Sequence, residues 1–308
     1  MHTRIALLAL LLAAAAQAAD AQSLRERIAE RRAAGQQNEM LEDEYARAGP
    51  ASLPPGAQLL GDVRYGADRR QAMDVYLPKQ ARNAPMILMV HGGGWRNGNK
   101  AMRSVTANKL ARWVQRGFVF ISVNYRMLPE ADPLRQAEDV ARALAFAQSR
   151  AGSWGGDPAK FVLMGHSAGA HLVALLSADP SKALALGAKP WLGTVALDSA
   201  AFDVAAIMAA RHLPLYDRAF GKDEASWRRA SPLHMLTSSA TPLLGVCSTR
   251  RREACPQAEG YAAKAKHLGV RAEVLPQDLS HRQINDELGL PGAYTEAVES
   301  FLVSLGAH

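Results

Sequence analysis

Apolar residues follow strand-like and helix-like patterns in turn from about residue 58 to the end of the chain. The run 86–90 is apolar at every position, which is typical of a strand that is buried on both faces of a sheet. The other strand-like runs are 58–65, 72–77, 119–123, 161–164, 194–197, 243–246 and 272–275, and the helical patterns are 104–116, 133–150, 168–177, 257–268 and 293–305. This alternation predicts an α/β fold in which helices cover a mostly parallel sheet.

Two segments depart from the alternation. Residues 22–57 are rich in Arg, Glu and Gln, and prolines near their end stop any helix, which predicts a solvated helix or arm ahead of a main domain at 58–308. Residues 200–241 separate two strand-like runs and are too long for a bare loop. We expect them to form a small helical cap.

The first 21 residues have the pattern of a secretory signal peptide. Arg4 precedes the apolar run 5–16, and Ala16-Gln17-Ala18 fits a cleavage site with small residues. The run has 12 residues, whereas a helix that spans a bilayer needs about 20. The pattern therefore predicts a secreted or periplasmic protein without stable membrane insertion, and disfavours the alternative of a permanent anchor.

Composition and charge exclude several classes of protein. Hydrophobic residues make up 48% and charged residues 21% of the chain, as in ordinary globular proteins, which excludes a disordered chain, a coiled coil and a collagen-like fibre. The net charge is +7, but the basic residues are scattered, so we expect no nucleic acid partner. No spacing typical of a metal site or of dinucleotide binding occurs, so we expect neither metal nor cofactor.

Two cysteines, Cys247 and Cys255, are present in the whole chain. Export to an oxidising compartment favours a disulfide between them, although two buried thiols are the alternative. Such a bridge closes a short loop, so its expected role is to shape the loop rather than to stabilise the fold.

A candidate nucleophile lies in Gly165-His166-Ser167-Ala168-Gly169, which fits G-x-S-x-G directly between a strand-like run and a helical one. The flanking glycines permit the tight turn that exposes the hydroxyl of Ser167. The backbone N–H of Ala168 then lies at a helix N-terminus, where it can face a developing oxyanion. The alternative is a turn with an inert serine.

A second motif, His91-Gly92-Gly93-Gly94-Trp95, follows the buried run 86–90. Consecutive glycines allow the backbone to approach a substrate closely, and Gly93 and Gly94 are the expected oxyanion donors beside Ala168. A phosphate-binding loop is the competing interpretation, but the Lys-Ser/Thr that such a loop requires does not follow the glycines.

Together with Asn124-Tyr125-Arg126, these two motifs resemble the α/β-hydrolases of the hormone-sensitive-lipase-like carboxylesterase and arylformamidase groups. The resemblance covers roughly residues 58–305. It implies an α/β-hydrolase fold, a serine nucleophile, a histidine base after the last strand, and an acid after the strand that precedes it.

The resemblance places the base at His281, which follows the last strand-like run. The acid is less clear, because the loop after 243–246 contains no Asp, and its sole carboxylate is Glu253. We therefore expect a triad of Ser167, His281 and Glu253, with Asp278 and Asp198 as rivals for the role of the acid.

These features predict a secreted serine carboxylesterase that cleaves small-molecule esters. One alternative is amide hydrolysis of an aryl formamide, which the stretch 165–172 suggests. A second is a non-catalytic binding protein on a hydrolase fold, which the altered acid loop supports. The physiological ester and the oligomeric state stay open.

Overall fold

The computed structural model describes residues 51–308, so the signal peptide predicted at 1–21 and most of the arm predicted at 22–57 lie outside the described residues. The described part contains an eight-stranded sheet in the order β1-β2-β4-β3-β5-β6-β7-β8. Its strands are β1 (Gln58–Arg64), β2 (Ala72–Leu77), β3 (Ala84–Val90), β4 (Val119–Val123), β5 (Gly156–His166), β6 (Gly193–Leu197), β7 (Leu243–Ser248) and β8 (Ala272–Gln277). Strand β2 pairs antiparallel with β1 and with β4, and all other neighbours are parallel. The mostly parallel sheet expected from the sequence is confirmed.

The centre of the sheet is the most apolar part of the molecule. Every residue of β3, β4, β6 and β7 is buried, which explains why their sequences show continuous apolar runs rather than alternation. Strand β1 lies at one edge and is largely exposed. Side chains at the centre are therefore held by dense packing, and so are the loops that leave it.

Helices connect the strands and cover the sheet. They are α1 (Arg103–Lys109), α2 (Pro133–Arg150), α3 (Ala168–Ala178), α4 (Ser181–Ala185), α5 (Val204–Ala209), α6 (Pro214–Phe220), α7 (Glu224–Arg229), α8 (Pro232–Met235), α9 (Ala254–His267), α10 (His281–Asp286) and α11 (Ala293–Ser304). All residues of α3 are buried, and α3 packs against β5 and β6. A helix that is apolar on every side is stable only in such a central position.

Four of these helices, α5 to α8, lie in residues 200–241, and we call this segment the cap. Its helix α6 places the rings of Phe220 and Tyr216 at 4.9 Å and 5.9 Å from the ring of Trp95. Trp95 also donates its Nε1–H to Nδ1 of His171 at 3.2 Å, and Nε2 of His171 bonds to the carbonyl of Ala230 at 2.7 Å. These contacts attach the cap to the loop after β3 and to α3.

Within residues 51–308, no helix is both long enough and apolar enough to cross a bilayer.

Candidate active site

The candidate catalytic residues follow five neighbouring strands. Strands β3, β5, β6, β7 and β8 are adjacent and parallel, so their carboxyl ends lie along the same edge of the sheet. Ligands of open α/β sheets bind at this edge. The loops that meet there carry the glycine motif 91–95, Ser167, Asp198, residues 248–254 and His281.

Ser167 lies in a strained turn between β5 and α3. Its backbone has φ 54° and ψ −118°, a conformation that is uncommon for a residue with a side chain. The backbone N–H of Ser167 donates to the carbonyl of Leu197 at 2.9 Å, which extends the pairing of β5 and β6 by one residue. The Oγ of Ser167 has no hydrogen-bond partner among the residues that the structure describes, so it is available to a ligand.

The glycines on either side of Ser167 are required by close backbone contacts. A Cβ on Gly165 would lie 2.4 Å from the carbonyl oxygen of Gly169, and a Cβ on Gly169 would lie 2.2 Å from that of Val90. No side chain fits at either position. Both glycines of the G-x-S-x-G motif are therefore required, because the turn packs tightly against itself and against the end of β3.

The glycine loop after β3 lies directly against Ser167. A Cβ on Gly92 would be 3.0 Å from the Cβ of Ser167, which is tighter than ordinary contact, so glycine favours this approach. Gly93 and Gly94 have φ values of 118° and 57°. Their N–H groups donate to no acceptor within residues 51–308, and the same loop is anchored by the buried Trp95.

His91 holds this loop in position through contacts with Gly92 and Tyr125. Its imidazole stacks on the ring of Tyr125 at 4.6 Å, and its Nδ1 bonds to the carbonyl of Gly92 at 2.7 Å. The hydroxyl of Tyr125 in turn donates to the carbonyl of His91 at 2.9 Å. Burial lowers the pKa of His91 to about 4, so the ring is neutral near pH 7.

His281 is paired with Asp198. The Nδ1 of His281 lies 2.5 Å from Oδ2 of Asp198, whose side chain is fully buried. The other carboxylate oxygen, Oδ1, accepts the backbone N–H of Ser248 at 2.8 Å. Asp198 directly follows β6, and its N–H donates to the carbonyl of Val246 at 2.8 Å. The carboxylate is therefore fixed between β6 and β7.

The expectation that Glu253 orients His281 is wrong. The side chain of Glu253 is 69% exposed and lies 3.7 Å from Arg252, immediately before α9. Asp278 is 83% exposed and pairs with Arg250 at 2.8 Å. The loop after β7 thus directs no carboxylate toward His281, and the carboxylate that is bonded to His281 comes instead from the end of β6.

Two further residues contact His281, and these contacts were not predicted from the sequence. Nε2 of His166 lies 3.0 Å from the carbonyl oxygen of His281, and the two rings are 4.5 Å apart. Because a carbonyl only accepts, Nε2 of His166 carries the proton. His166 immediately precedes Ser167, so the two rings bring His281 to the nucleophile turn.

The second is Arg251. Its Nη1 donates to Oδ2 of Asp198 at 2.6 Å and to the backbone carbonyl of Asp198 at 3.0 Å. The same nitrogen lies 3.0 Å from Nδ1 of His281. No sequence motif signalled this contact, since Arg251 is the middle residue of a run of three arginines.

These contacts shift the pKa values of the pair. Burial alone would raise the pKa of Asp198, but the hydrogen bond with His281 and the charge of Arg251 hold that pKa well below its ordinary value. The pKa of His281 is lowered, first by burial and then by Arg251, and Asp198 opposes both effects. At neutral pH the site therefore contains a carboxylate beside a neutral imidazole.

Cys247 and Cys255 form a disulfide with a Cα–Cα distance of 5.1 Å, which confirms the predicted bridge. Cys247 belongs to β7 and Cys255 to α9, so the bridge closes the loop 248–254 that carries Arg251. No group of three or more potential metal ligands is found among residues 51–308.

Residues 73–209 match the family model BD-FAE. The probable isoprenylcysteine alpha-carbonyl methylesterase ICME of Oryza sativa subsp. japonica is 34% identical over 118 residues, which are 38% of this chain and 28% of that protein. The probable carboxylic ester hydrolase LipM of Mycobacterium tuberculosis is 27% identical over 274 residues, 80% of this chain and 61% of that protein. The chain thus spans less than two thirds of the length of these relatives.

Solved structures of esterases share the fold. A truncated carbohydrate esterase from gut microbiota superposes with a TM-score of 0.71 at 19% identity, over 84% of this chain and 100% of that one. Esterase B from Lactobacillus rhamnosis gives a TM-score of 0.68 at 19% identity, over 89% and 91% of the two chains. At such low identity these matches establish the fold alone.

Proposed function

We propose that this chain, which matches the BD-FAE family model over residues 73–209 and shares its fold with solved esterases, hydrolyses carboxylic esters through an acyl-enzyme on Ser167. The observation that carries the proposal is the pairing of His281 with Asp198 at 2.5 Å, with the ring of His281 4.5 Å from that of His166, which immediately precedes Ser167 in its strained turn. A nucleophile, a base and a group that orients the base are the parts that acyl transfer requires. The names of the relatives support ester hydrolysis as the reaction class.

In the proposed reaction, Oγ of Ser167 attacks the ester carbonyl and its proton passes to Nε2 of His281. Nδ1 of His281 stays bonded to Asp198, which fixes the tautomer and stabilises the imidazolium. His281 then donates the proton to the leaving alkoxide, which departs as an alcohol. Water, activated by His281 in the same way, cleaves the acyl-enzyme to a carboxylic acid and restores Ser167.

The oxyanion of each tetrahedral intermediate is proposed to bind the N–H groups of Gly93, Gly94 and Ala168. Support comes from the contact of Gly92 with Ser167 and from the unpaired N–H groups of Gly93 and Gly94 within the described chain. Removal of one such donor costs about 2.7–4 kcal/mol in the transition state of other hydrolases.

The test is hydrolysis of p-nitrophenyl acetate by purified protein and by the Ser167→Ala variant. We expect turnover by the wild type and its loss in the variant, with an unchanged melting temperature. N-formylkynurenine is assayed in parallel. Binding of esters without turnover would indicate a binding protein, and preference for N-formylkynurenine would indicate the amide reaction.

We further propose that the mature protein is secreted or periplasmic and begins near Ala19. The support is the sequence pattern of Arg4, the apolar run 5–16 and the small residues that follow. N-terminal sequencing of protein from the periplasm or medium tests this. An intact Met1 form in the membrane fraction would contradict it.

A further inference from the structure

The position of Arg251 is unusual for the proposed reaction. The resemblance to esterases implies an acid in the loop after β7, yet this loop directs a cation to the same place. The side chain of Arg251 is 21% exposed and lies against a fully buried carboxylate. Burying a charge is costly unless it is paired, so this contact needs a physical account.

Geometry fixes the location of the proton between Asp198 and His281. Two acceptor lone pairs do not approach to 2.5 Å, so one proton lies between Oδ2 of Asp198 and Nδ1 of His281. The pKa of Asp198 is well below its ordinary value, so that proton belongs to Nδ1. Arg251 therefore does not donate to His281, and both residues donate to the same carboxylate oxygen.

This arrangement changes the net charge of the group formed by Asp198, His281 and Arg251. Asp198 with a neutral His281 carries one negative charge, and Arg251 brings the sum to zero. When His281 accepts a proton, the group of three becomes positive, and Nη1 of Arg251 lies 3.0 Å from the protonated ring. A like charge at this distance disfavours the imidazolium and favours the free base.

We propose that Arg251 is a positioning residue for the reaction of Ser167: its guanidinium holds the carboxylate of Asp198 against His281 and keeps His281 unprotonated in mildly acidic solution. The inference rests on the proposed function and concerns the pH range of that same site. One nitrogen bonds to both the carboxylate and the backbone carbonyl of Asp198, so Arg251 also fixes the residue that orients the base.

The other charged and titratable groups around the pair come from several elements. They are His166 from β5, which contacts His281 directly, and more distantly Lys109 from α1, Tyr216 from α6, Glu253 before α9 and Tyr294 from α11. None of these is changed by substitution of Arg251. A difference between the wild type and an Arg251 variant therefore reports on the guanidinium.

The experiment compares the wild type with Arg251→Met, which removes the charge at similar length, and with Arg251→Lys, which keeps it. We expect the acidic limb of kcat/KM for p-nitrophenyl acetate to move upward by about 1–3 pH units in Arg251→Met, the usual effect of a neighbouring charge. Arg251→Lys should keep the limb near its original position. Its kcat should fall, because the shorter and more flexible lysine side chain holds its charge less firmly against Asp198.

Arg252→Met is the matched control, because Arg252 carries the same charge in the same loop and its side chain is 96% exposed. The pH profile of kcat/KM in Arg252→Met should equal that of the wild type. If Arg251→Met does not fold, Arg251→Gln supplies a smaller neutral side chain for the same comparison.

NMR titration of the His281 ring separates this inference from the proposed function, because it needs no turnover. The signal is identified by its loss in His281→Gln. A higher pKa of His281 in Arg251→Met supports the inference even if no ester is hydrolysed, in which case only the proposed function fails. Equal pKa values in the two proteins, or equal acidic limbs, would overturn the inference.

Discussion

At the scale of single residues, the carboxylate bonded to His281 is that of Asp198, one of the two rivals to the favoured Glu253. Asp198 follows β6, next to the strand that carries Ser167, and its two oxygens are bonded to Ser248, His281 and Arg251. A carboxylate with this many partners can neither rotate nor readily bind a proton. Asp198 is therefore a rigid support for the ring of His281.

Substitution of Asp198 tests this assignment. Asp198→Asn should lower kcat by about 10⁴, because the imidazole is no longer held in the required tautomer and its charged form is no longer stabilised. Glu253→Gln should leave kcat within a few-fold of the wild type, since the side chain of Glu253 is largely exposed. Steady-state kinetics at a temperature where both variants are folded provides the measurement. If kcat collapsed in Glu253→Gln while Asp198→Asn stayed nearly as active as the wild type, the assignment would be reversed.

At the scale of elements, the turn between β5 and α3 depends on the space around its glycines. In Gly169→Ala the new Cβ would lie 2.2 Å from the carbonyl of Val90, and the backbone on both sides is buried. We expect a loss of about 1–3 kcal/mol in the free energy of unfolding, together with lower kcat/KM because the turn moves Ser167.

Gly260→Ala is a suitable control for this variant. Gly260 lies within α9, and a Cβ there would meet nothing within 4 Å. Alanine favours the helix, so this change should raise stability by about 0.5–1 kcal/mol without affecting catalysis. Denaturant unfolding and ester hydrolysis measure both variants. An equal free energy of unfolding and an equal kcat/KM in the two variants would show that the turn tolerates a side chain.

The disulfide acts at the same scale, through the loop that carries Arg251. Reduction should lower the free energy of unfolding by less than about 3 kcal/mol, because the closed loop is short. It should lower kcat/KM more at pH 5.5 than at pH 8, since Arg251 is then held less firmly against Asp198. The comparison is made with and without dithiothreitol. A Cys247→Ser/Cys255→Ser double variant, which has no bridge to break, should not respond to it.

At the scale of the whole molecule, stability should fall as the solution becomes acidic. Burial lowers the pKa values of His91 and His171 to about 4, from an ordinary value of 6.5. Below pH 6.5 the unfolded chain binds protons that the folded chain does not, so stability is lost between pH 6.5 and 4. The loss amounts to about 2 kcal/mol per histidine between pH 7 and 5.

Urea unfolding at pH 7 and pH 5 measures this loss. In His171→Gln the difference between the two pH values should shrink by one histidine's share, although the variant is less stable at pH 7. His267→Gln, at an exposed position near the end of α9, should retain the full difference. An equal pH dependence in His171→Gln and the wild type would exclude buried histidine as its cause.

The sequence predicted the sheet well because burial on both faces produces continuous apolar runs. Strands β2 and β4 have the predicted bounds, and the nucleophile turn and His281 lie at the carboxyl ends of β5 and β8. The origin of the acid could not be predicted in the same way. Whether Asp198 or Glu253 reaches His281 depends on how the loop after β7 folds, and no periodic pattern describes that loop.

Arg251 was missed for a related reason. Three consecutive arginines are usually interpreted as a solvated, charged segment, and two of them, Arg250 and Arg252, do have exposed side chains. The bridge between Cys247 and Cys255 closes this loop, and within it the side chain of the middle arginine is only 21% exposed. The physical signal was therefore the combination of a disulfide with a charge run, rather than either one alone.

The same bridge affects how the protein should be prepared in the laboratory. Expression in a reducing cytoplasm keeps thiols reduced, whereas export allows Cys247 and Cys255 to join. Two batches with identical sequences would then differ in the loop that holds Arg251, and therefore in their response to pH. The choice of expression host thus becomes an experimental variable, and the thiol content of each batch belongs beside its kinetic constants.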